Sequence, residues 1–472
     1  MLDVTDFGCA ASDCTSAIRS ALIAATRGST RVVLIPGGVT ASTLPFVLPS
    51  GVTLQVDGML QALAGERALS KWPMLPPLPT YGRDRDGAKP HRYQALVSAN
   101  RAADVVIRGR GVIDGQGPWW WDQRHVLRAG RPHLIEFYNC THVEVAGVVL
   151  RDSPFWTLHP VYSQFVWVHD LTIRAPAYAP NTDGVDPDSC RHVLIERCDI
   201  SVGDDHVAIK AGLNAVARGS AEFATENVTV RHNVLRAGMG ISVGSETSGG
   251  IRDVDVHNNQ FIGWGWSVAL HVKSAPQRGG KVENILFRHN DVFNTTALMR
   301  LGIFGRGTPP TDYPQTALRA IEWFNNTYSG PSNRKVRSKF LCPGICNGIK
   351  VASNRVLAER STWQCSQISS YVVADNSPSG LDECMQRSAR KVARHAAEPA
   401  ETRSARASDD GALGLPRRPR SSRHRGGNGE GEGREQRRAK RRAAPRRRAG
   451  GNHRRYRKFD WHTQQATWSA EL

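Results

Sequence analysis

No apolar run in these 472 residues reaches the roughly 18–20 that a membrane-crossing helix requires. Met1 is followed at once by Leu-Asp-Val-Thr-Asp-Phe-Gly, so the expectation is a chain with neither a signal peptide nor a transmembrane helix. The hydrophobic share of 40% still allows one sizeable core. Histidine is missing around the last four cysteines, Cys342, Cys346, Cys365 and Cys384, so a mixed Cys/His zinc site has no support there. Two local disulfides are the favoured reading, and a four-cysteine zinc site stays open. An oxidising compartment follows from that preference, and sequons at Asn139, Asn227, Asn294 and Asn325 are compatible with it.

Acidic charge is short too. The chain carries a net +19, and most of the excess lies on residues 385–472. That tail is Arg, Ala, Gly and Ser with little hydrophobic periodicity, so it is expected to be disordered. A basic run releases counterions from phosphates, but nothing in this one supplies base readout, so nucleic-acid binding is not the expected role. A functional basic extension and a shifted reading frame account for its composition equally well.

What the remainder has is short strands. Val105–Ile107, Val143–Val145, Val166–Val168, Val193–Ile195, Val228–Val230, Val254–Val256, Ile285–Phe287 and Ile321–Trp323 recur at irregular intervals. Regular leucines and a strict period with several strands per unit are lacking, which argues against leucine-rich repeats and propellers. Asn233, Asn258-Asn259, Asn290 and Asn325-Asn326 trail several strands, where an amide can bond turn backbone and tolerate a left-handed conformation. A strand and an Asn turn every 20–40 residues or so predicts a parallel β-helix over residues 3–384. Ser16–Thr26 has helix-like composition and could close its first coil, while residues 65–92, rich in Pro and Arg, read as a surface loop.

The chemistry concentrates between Asn181 and Lys210. Asp183 lies in Asn181-Thr182-Asp183-Gly184, and Asp204-Asp205 follows Gly203, 21 residues on from Asp183 to Asp204. In a coil of about that period these carboxylates stack and converge, which raises the pKa of one member. Strict alternation would send Asp204 and Asp205 to opposite faces, so a bend near Gly203 is required. Any one of these aspartates alone reads more readily as turn chemistry, and it is three at this spacing that shift the balance. Lys210 and Arg278 are candidates to face an acidic sugar chain, and Trp119–Trp121 is either a stacking surface or packing. His159 and His206 are cleft-lining or structural, and Asn181 either orients Asp183 or only holds its own turn.

With those residues in view, the chain resembles the polygalacturonase family of glycoside hydrolases, family 28, whose members are right-handed parallel β-helices. The markers stand in family order: Val4-Thr5-Asp6-Phe7-Gly8, Gly111 to Gly117, Ser153-Pro154-Phe155-Trp156, Asn181 to Gly184, Gly203-Asp204-Asp205, Gly244-Ser245-Glu246 and the segment around Lys273. The resemblance implies inverting, metal-free hydrolysis of α-1,4-galacturonosyl bonds in pectin. It implies Asp204 as general acid, Asp183 and Asp205 as the groups that activate water, and Lys273 and His271 as substrate contacts. It further implies a monomer outside the cell, acting on an acidic pectic polysaccharide without a cofactor. Two departures stand out. Gly238-Met239-Gly240 replaces Gly-His-Gly, as in plant- and bacterial-like members, and His271-Val272-Lys273 replaces Arg-Ile-Lys. A half-titrated His271 would then stand where a guanidinium usually does. The alternatives are a binding-only β-helix, a hydrolase of rhamnose- or xylose-bearing galacturonan, and a lyase, which would need a calcium site.

Overall fold

In the computed structural model the eight β-branched triplets stack in a single register. Val105 lies opposite Val143, followed in turn by Val166, Val193, Val228, Val254, Ile285 and Ile321. The structure describes residues 1–397 apart from 10–12, 83–88, 263–267, 276, 304–314, 330–334, 343–344, 358–359, 367 and 377–379. The expected tail falls outside the described residues from 398 onward.

The triplets belong to a 13-stranded sheet whose strands pair in chain order, from Leu2–Asp3 to Tyr371–Ala374. An 11-stranded sheet runs beside it in the same way. The third face has 4 strands, ending with Leu158–Val161, and 6 more from Val207–Ile209 onward. Bridges from Leu158 to Val185 to Val207, and from Val161 to Asp188 to Lys210, join these two parts. Neighbours are thus successive coils of one parallel β-helix, wound in the right-handed sense that crossover connections take. Alternation sends Val, Ile and Leu inward to a single core and leaves every second residue facing out.

At one corner the interior holds amides. Asn233, Asn259, Asn290, Asn326, Asn354 and Asn376 form a ladder in which each Nδ2 donates to the next Oδ1 at 2.9–3.0 Å. The left-handed turn position is the residue before: His232, Asn258, His289 and Asn325 all have positive φ. The trailing asparagines therefore do two jobs where one was expected.

The helix Thr15–Arg27 closes the first coil with Ile18, Ala21 and Leu22, and Asp13 accepts the Thr15 N–H at its start. Disulfides join Cys9 to Cys14, Cys342 to Cys346 and Cys365 to Cys384. At the far end the helix Leu381–Ala397 buries Leu381, Met385 and Ser388. Folded structure therefore continues past the expected boundary at 384, because an apolar stripe is laid out among the basic residues. The segment 65–92 also departs from a plain surface loop, since Trp72, Leu78, Thr80 and Tyr81 are buried. Trp120 and Trp121 are buried as well, on the short helix Gly117–Gln123, so they pack against the fold.

Candidate active site

Between Ser201 and Val207 the chain turns from the 11-stranded sheet onto the third face, and Gly203 makes the corner possible. A Cβ on Gly203 would lie 2.0 Å from the Ala179 carbonyl oxygen of the preceding coil. Residues 203 and 204 form a bend, which resolves the alternation problem and lets Asp204 and Asp205 share a face. One coil earlier, Asn181 takes a left-handed φ of 55°. Thr182 accepts the Gly203 N–H at 3.0 Å through its hydroxyl, tying the two turns together.

The three aspartates converge. Asp183, Asp204 and Asp205 each bring an oxygen within 4.8 Å of the others, with Asp183 and Asp205 buried and Asp204 half-buried. Their surroundings differ. Asp205 is clamped at both oxygens, by the Ser242 hydroxyl at 2.8 Å and by Lys273 Nζ at 2.6 Å. Asp204 accepts its neighbour's N–H at 3.0 Å and faces the Asn181 amide at 3.5 Å. Burial, with Asp183 and Asp205 beside it, pushes the Asp204 carboxyl up to about 7 against the pull of Lys273 and Lys210. One carboxyl is thus held protonated near neutrality next to two others.

Several expected residues take other parts. Lys210 is 2% exposed, so it does not stand on a surface. Its Nζ lies 3.5 Å from Asp183, 3.2 Å from Asp186 and 3.6 Å from Glu246, and 4.3 Å above the Trp156 ring. Three buried carboxylates need a buried cation, which is why this lysine is internal. Burial, then Asp183, holds the Asp186 carboxyl well above its ordinary range against Lys210. Asn181 orients Asp204 rather than Asp183, because Arg131 donates to its Oδ1 at 2.8 Å and turns the amide NH₂ toward Asp204. His271 is buried, and burial, with Lys273 and Arg300 nearby, drives its pKa well below the usual histidine value. It is a neutral ring, not a half-titrated one. Arg278 is half-buried and donates to the Leu213 carbonyl at 3.3 Å.

Both histidines left open prove internal. His206 is buried, its Nδ1 accepts the Gly240 N–H at 3.0 Å, and burial lowers its pKa to about 4. The backbone of Met239 donates to the Asp204 carbonyl at 2.8 Å while its side chain is exposed. His159 joins His133 and Glu136 in a second group whose ligand-type atoms also lie within 4.8 Å of one another. Arg92 bonds Glu136 at 2.6 Å there, and lysines 210 and 273 stand by the aspartates, so each cluster already holds positive charge where a cation would sit.

Sequence reasoning passed over Asp186, Glu246, Ser242, Arg131 and Trp156 as parts of this site. Asp186 lay in plain view three residues after Asp183, but its role depends on burial.

The family model described as "Glycosyl hydrolases family 28" matches residues 28–375. A "Probable polygalacturonase" of Vitis vinifera is 38% identical over 250 residues, 52% of this chain and 50% of the plant protein. An "Endo-polygalacturonase" of Pectobacterium carotovorum subsp. carotovorum is 32% identical over 298 residues, 58% of this chain and 68% of that protein. The chain therefore spans about half the length of the first relative and two thirds of the second. A hyperthermoactive exopolygalacturonase structure from Thermotoga maritima superposes with a TM-score of 0.68 at 25% identity, over 79% of this chain and 91% of that one.

Proposed function

The chain belongs to family 28 of the glycosyl hydrolases, and from that premise we propose that it hydrolyses α-1,4-galacturonosyl bonds of pectic polysaccharide. The observation that carries the reading is the division among three adjacent carboxyls. Asp204, held protonated up to about pH 7, gives its proton to the glycosidic oxygen. Asp183 and Asp205 hold a water and take its proton. The C–O bond breaks, water's hydroxyl joins the anomeric carbon, and the leaving sugar departs as an alcohol. Lys273 both fixes Asp205 and offers positive charge to a galacturonate carboxylate.

Inversion is the expected outcome. The carboxyl oxygens, within 4.8 Å, are closer than the roughly 6.5–9.5 Å gap that inverting pairs usually keep. Yet Asp205 is engaged at both oxygens, which suits it to orient water and blunts it as a nucleophile. The anomer formed first, followed by NMR on an oligogalacturonate, decides the point. A retained configuration would overturn the water-activating roles.

The β-helix is the catalytic unit and works as a monomer outside the cell. Three disulfides among the described residues support an oxidising compartment. Reducing-sugar release from polygalacturonate between pH 4 and 7 tests the activity, with Asp204→Asn as the control. Release that survives chelation and gives no unsaturated product separates this reading from a lyase. Binding without release would leave a binding-only β-helix.

A further inference from the structure

The groove over the third face differs on its two sides. Glu136, His159, Asp186 and Asp188 face outward from coils preceding the catalytic corner, in positions where a groove floor would be open. All are sealed, Glu136 at 2% exposure and the other three at 0%. Two walls meet above them. Trp156 packs on His159 and Tyr81 reaches Asp188, and their rings meet edge to face with centroids 6.2 Å apart. Leu78, Phe155 and Val161 pack with them as a separate apolar cluster.

The wall that carries Tyr81 is bolted down. The Tyr81 hydroxyl donates to Asp188. Thr80 shares a hydrogen bond with the Tyr162 hydroxyl at 2.7 Å, Leu213 N–H donates to the Thr80 carbonyl at 3.0 Å, and the Asn214 amide donates to the Pro79 carbonyl at 2.9 Å. These anchors come from three successive coils. The barrier also begins close to the chemistry, because the Trp156 ring lies over Lys210, whose Nζ is 3.5 Å from Asp183.

On the other side the floor stays accessible and is basic. Lys273 keeps 21% of its side chain exposed, and on the next coils Arg300, in register with His271, and Lys339, in register with Arg300, are half-buried. Met239 stands exposed at the rim. A polyanion finds cations on this side, whereas on the far side the described residues bury the outward-facing acids beneath the two rings.

We propose that this asymmetry makes the enzyme act from a chain end. The polymer lies over Lys273, Arg300 and Lys339, its terminus abuts the Tyr81–Trp156 wall, and each hydrolysis frees one short product of fixed size. The inference rests on the galacturonan-hydrolase reading of the same site.

The test uses the full chain on polygalacturonate, with products sized at early conversion and viscosity followed against bonds cut. A single short product from the first time point, with viscosity nearly unchanged at a few per cent hydrolysis, is the expected result. A ladder of mixed oligomers with a steep viscosity fall would overturn chain-end action and leave the hydrolase reading standing. Absence of new reducing ends from both polymer and oligogalacturonates would instead defeat the reading beneath it. Replacing Leu78→Ala and Tyr81→Ala together should open the wall and shift products toward mixed oligomers. A folded double variant with the parental product pattern would show that the wall does not set the mode, and the parental profile decides the matter if the variant fails to fold.

Discussion

Two stacks of polar side chains climb the same coil, and they meet opposite fates. Both place like residues one coil above another, at a spacing of about 4.8 Å. In the asparagine ladder each side chain carries a donor and an acceptor, so every Nδ2 finds an Oδ1 at 2.9–3.0 Å and the stack satisfies itself. At the aspartate corner the stacked groups are carboxyls, which only accept when ionised. Repetition there builds repulsion, relieved by a retained proton on Asp204 and by two lysines. One geometry gives mutual satisfaction from amides and a raised carboxyl pKa from acids.

Replacing the proton-holding acid tests the reactive stack most severely. Asp204→Asn should fold and lose about 10²–10⁴-fold in kcat, the usual contribution of a general acid. A variant within a few-fold of the parent would dismiss Asp204 from that role. In the parent, activity should fall as pH rises through about 7, when Asp204 loses its proton. Stability follows the same sign. The folded-state pKa is raised, so the contribution is fully present below about pH 4 and is lost as pH climbs through about 7. Above that pH the Asn variant should melt higher than the parent, and a lower midpoint would contradict the repulsion.

Removing the buried cation comes next. Lys210→Met leaves Asp183, Asp186 and Glu246 without the charge between them, and a loss of about 3–5 kcal/mol in denaturant unfolding is expected. An effect below 1 kcal/mol would mean that the carboxyls balance themselves by taking up protons. The smallest change is expected in the other stack. Asn290→Ala interrupts the ladder, takes the acceptor from the buried Asn259 backbone N–H and a donor from Asn326 Oδ1, and should cost about 1–3 kcal/mol with activity intact. Should activity fall in step with stability, the two stacks would not be independent.

The fold was legible because β-branched triplets announce strands one coil at a time, and their first residues pair along the whole series. The need for a bend at Gly203 was legible as well, since alternation and a shared face for Asp204 and Asp205 are incompatible without one. What stayed hidden depends on burial. Lysine 210 reads as an exposed cation until three carboxylates surround it, and His271 as a titrating group until desolvation keeps it neutral. Asn181 could not be assigned to Asp204 without seeing Arg131 hold its carbonyl end. The segment 65–92 has the composition of a surface loop, and composition does not record that Tyr81 comes to rest on Asp188.

A parallel coil ends, at either extremity, in a rung whose backbone N–H and C=O groups point along the axis, ready to accept another strand. The helix Thr15–Arg27 packs against the first strands with Ile18 and Leu22, and Leu381–Ala397 lies on Arg360–Ser366 and Tyr371–Ala374 with Leu381 and Met385 in the core. These helices act as stoppers against end-to-end fibre growth. A chain whose second helix was unfastened, by reduction of the Cys365–Cys384 link together with Met385→Asp, would present a bare terminal rung and should assemble into filaments more readily than the parent protein.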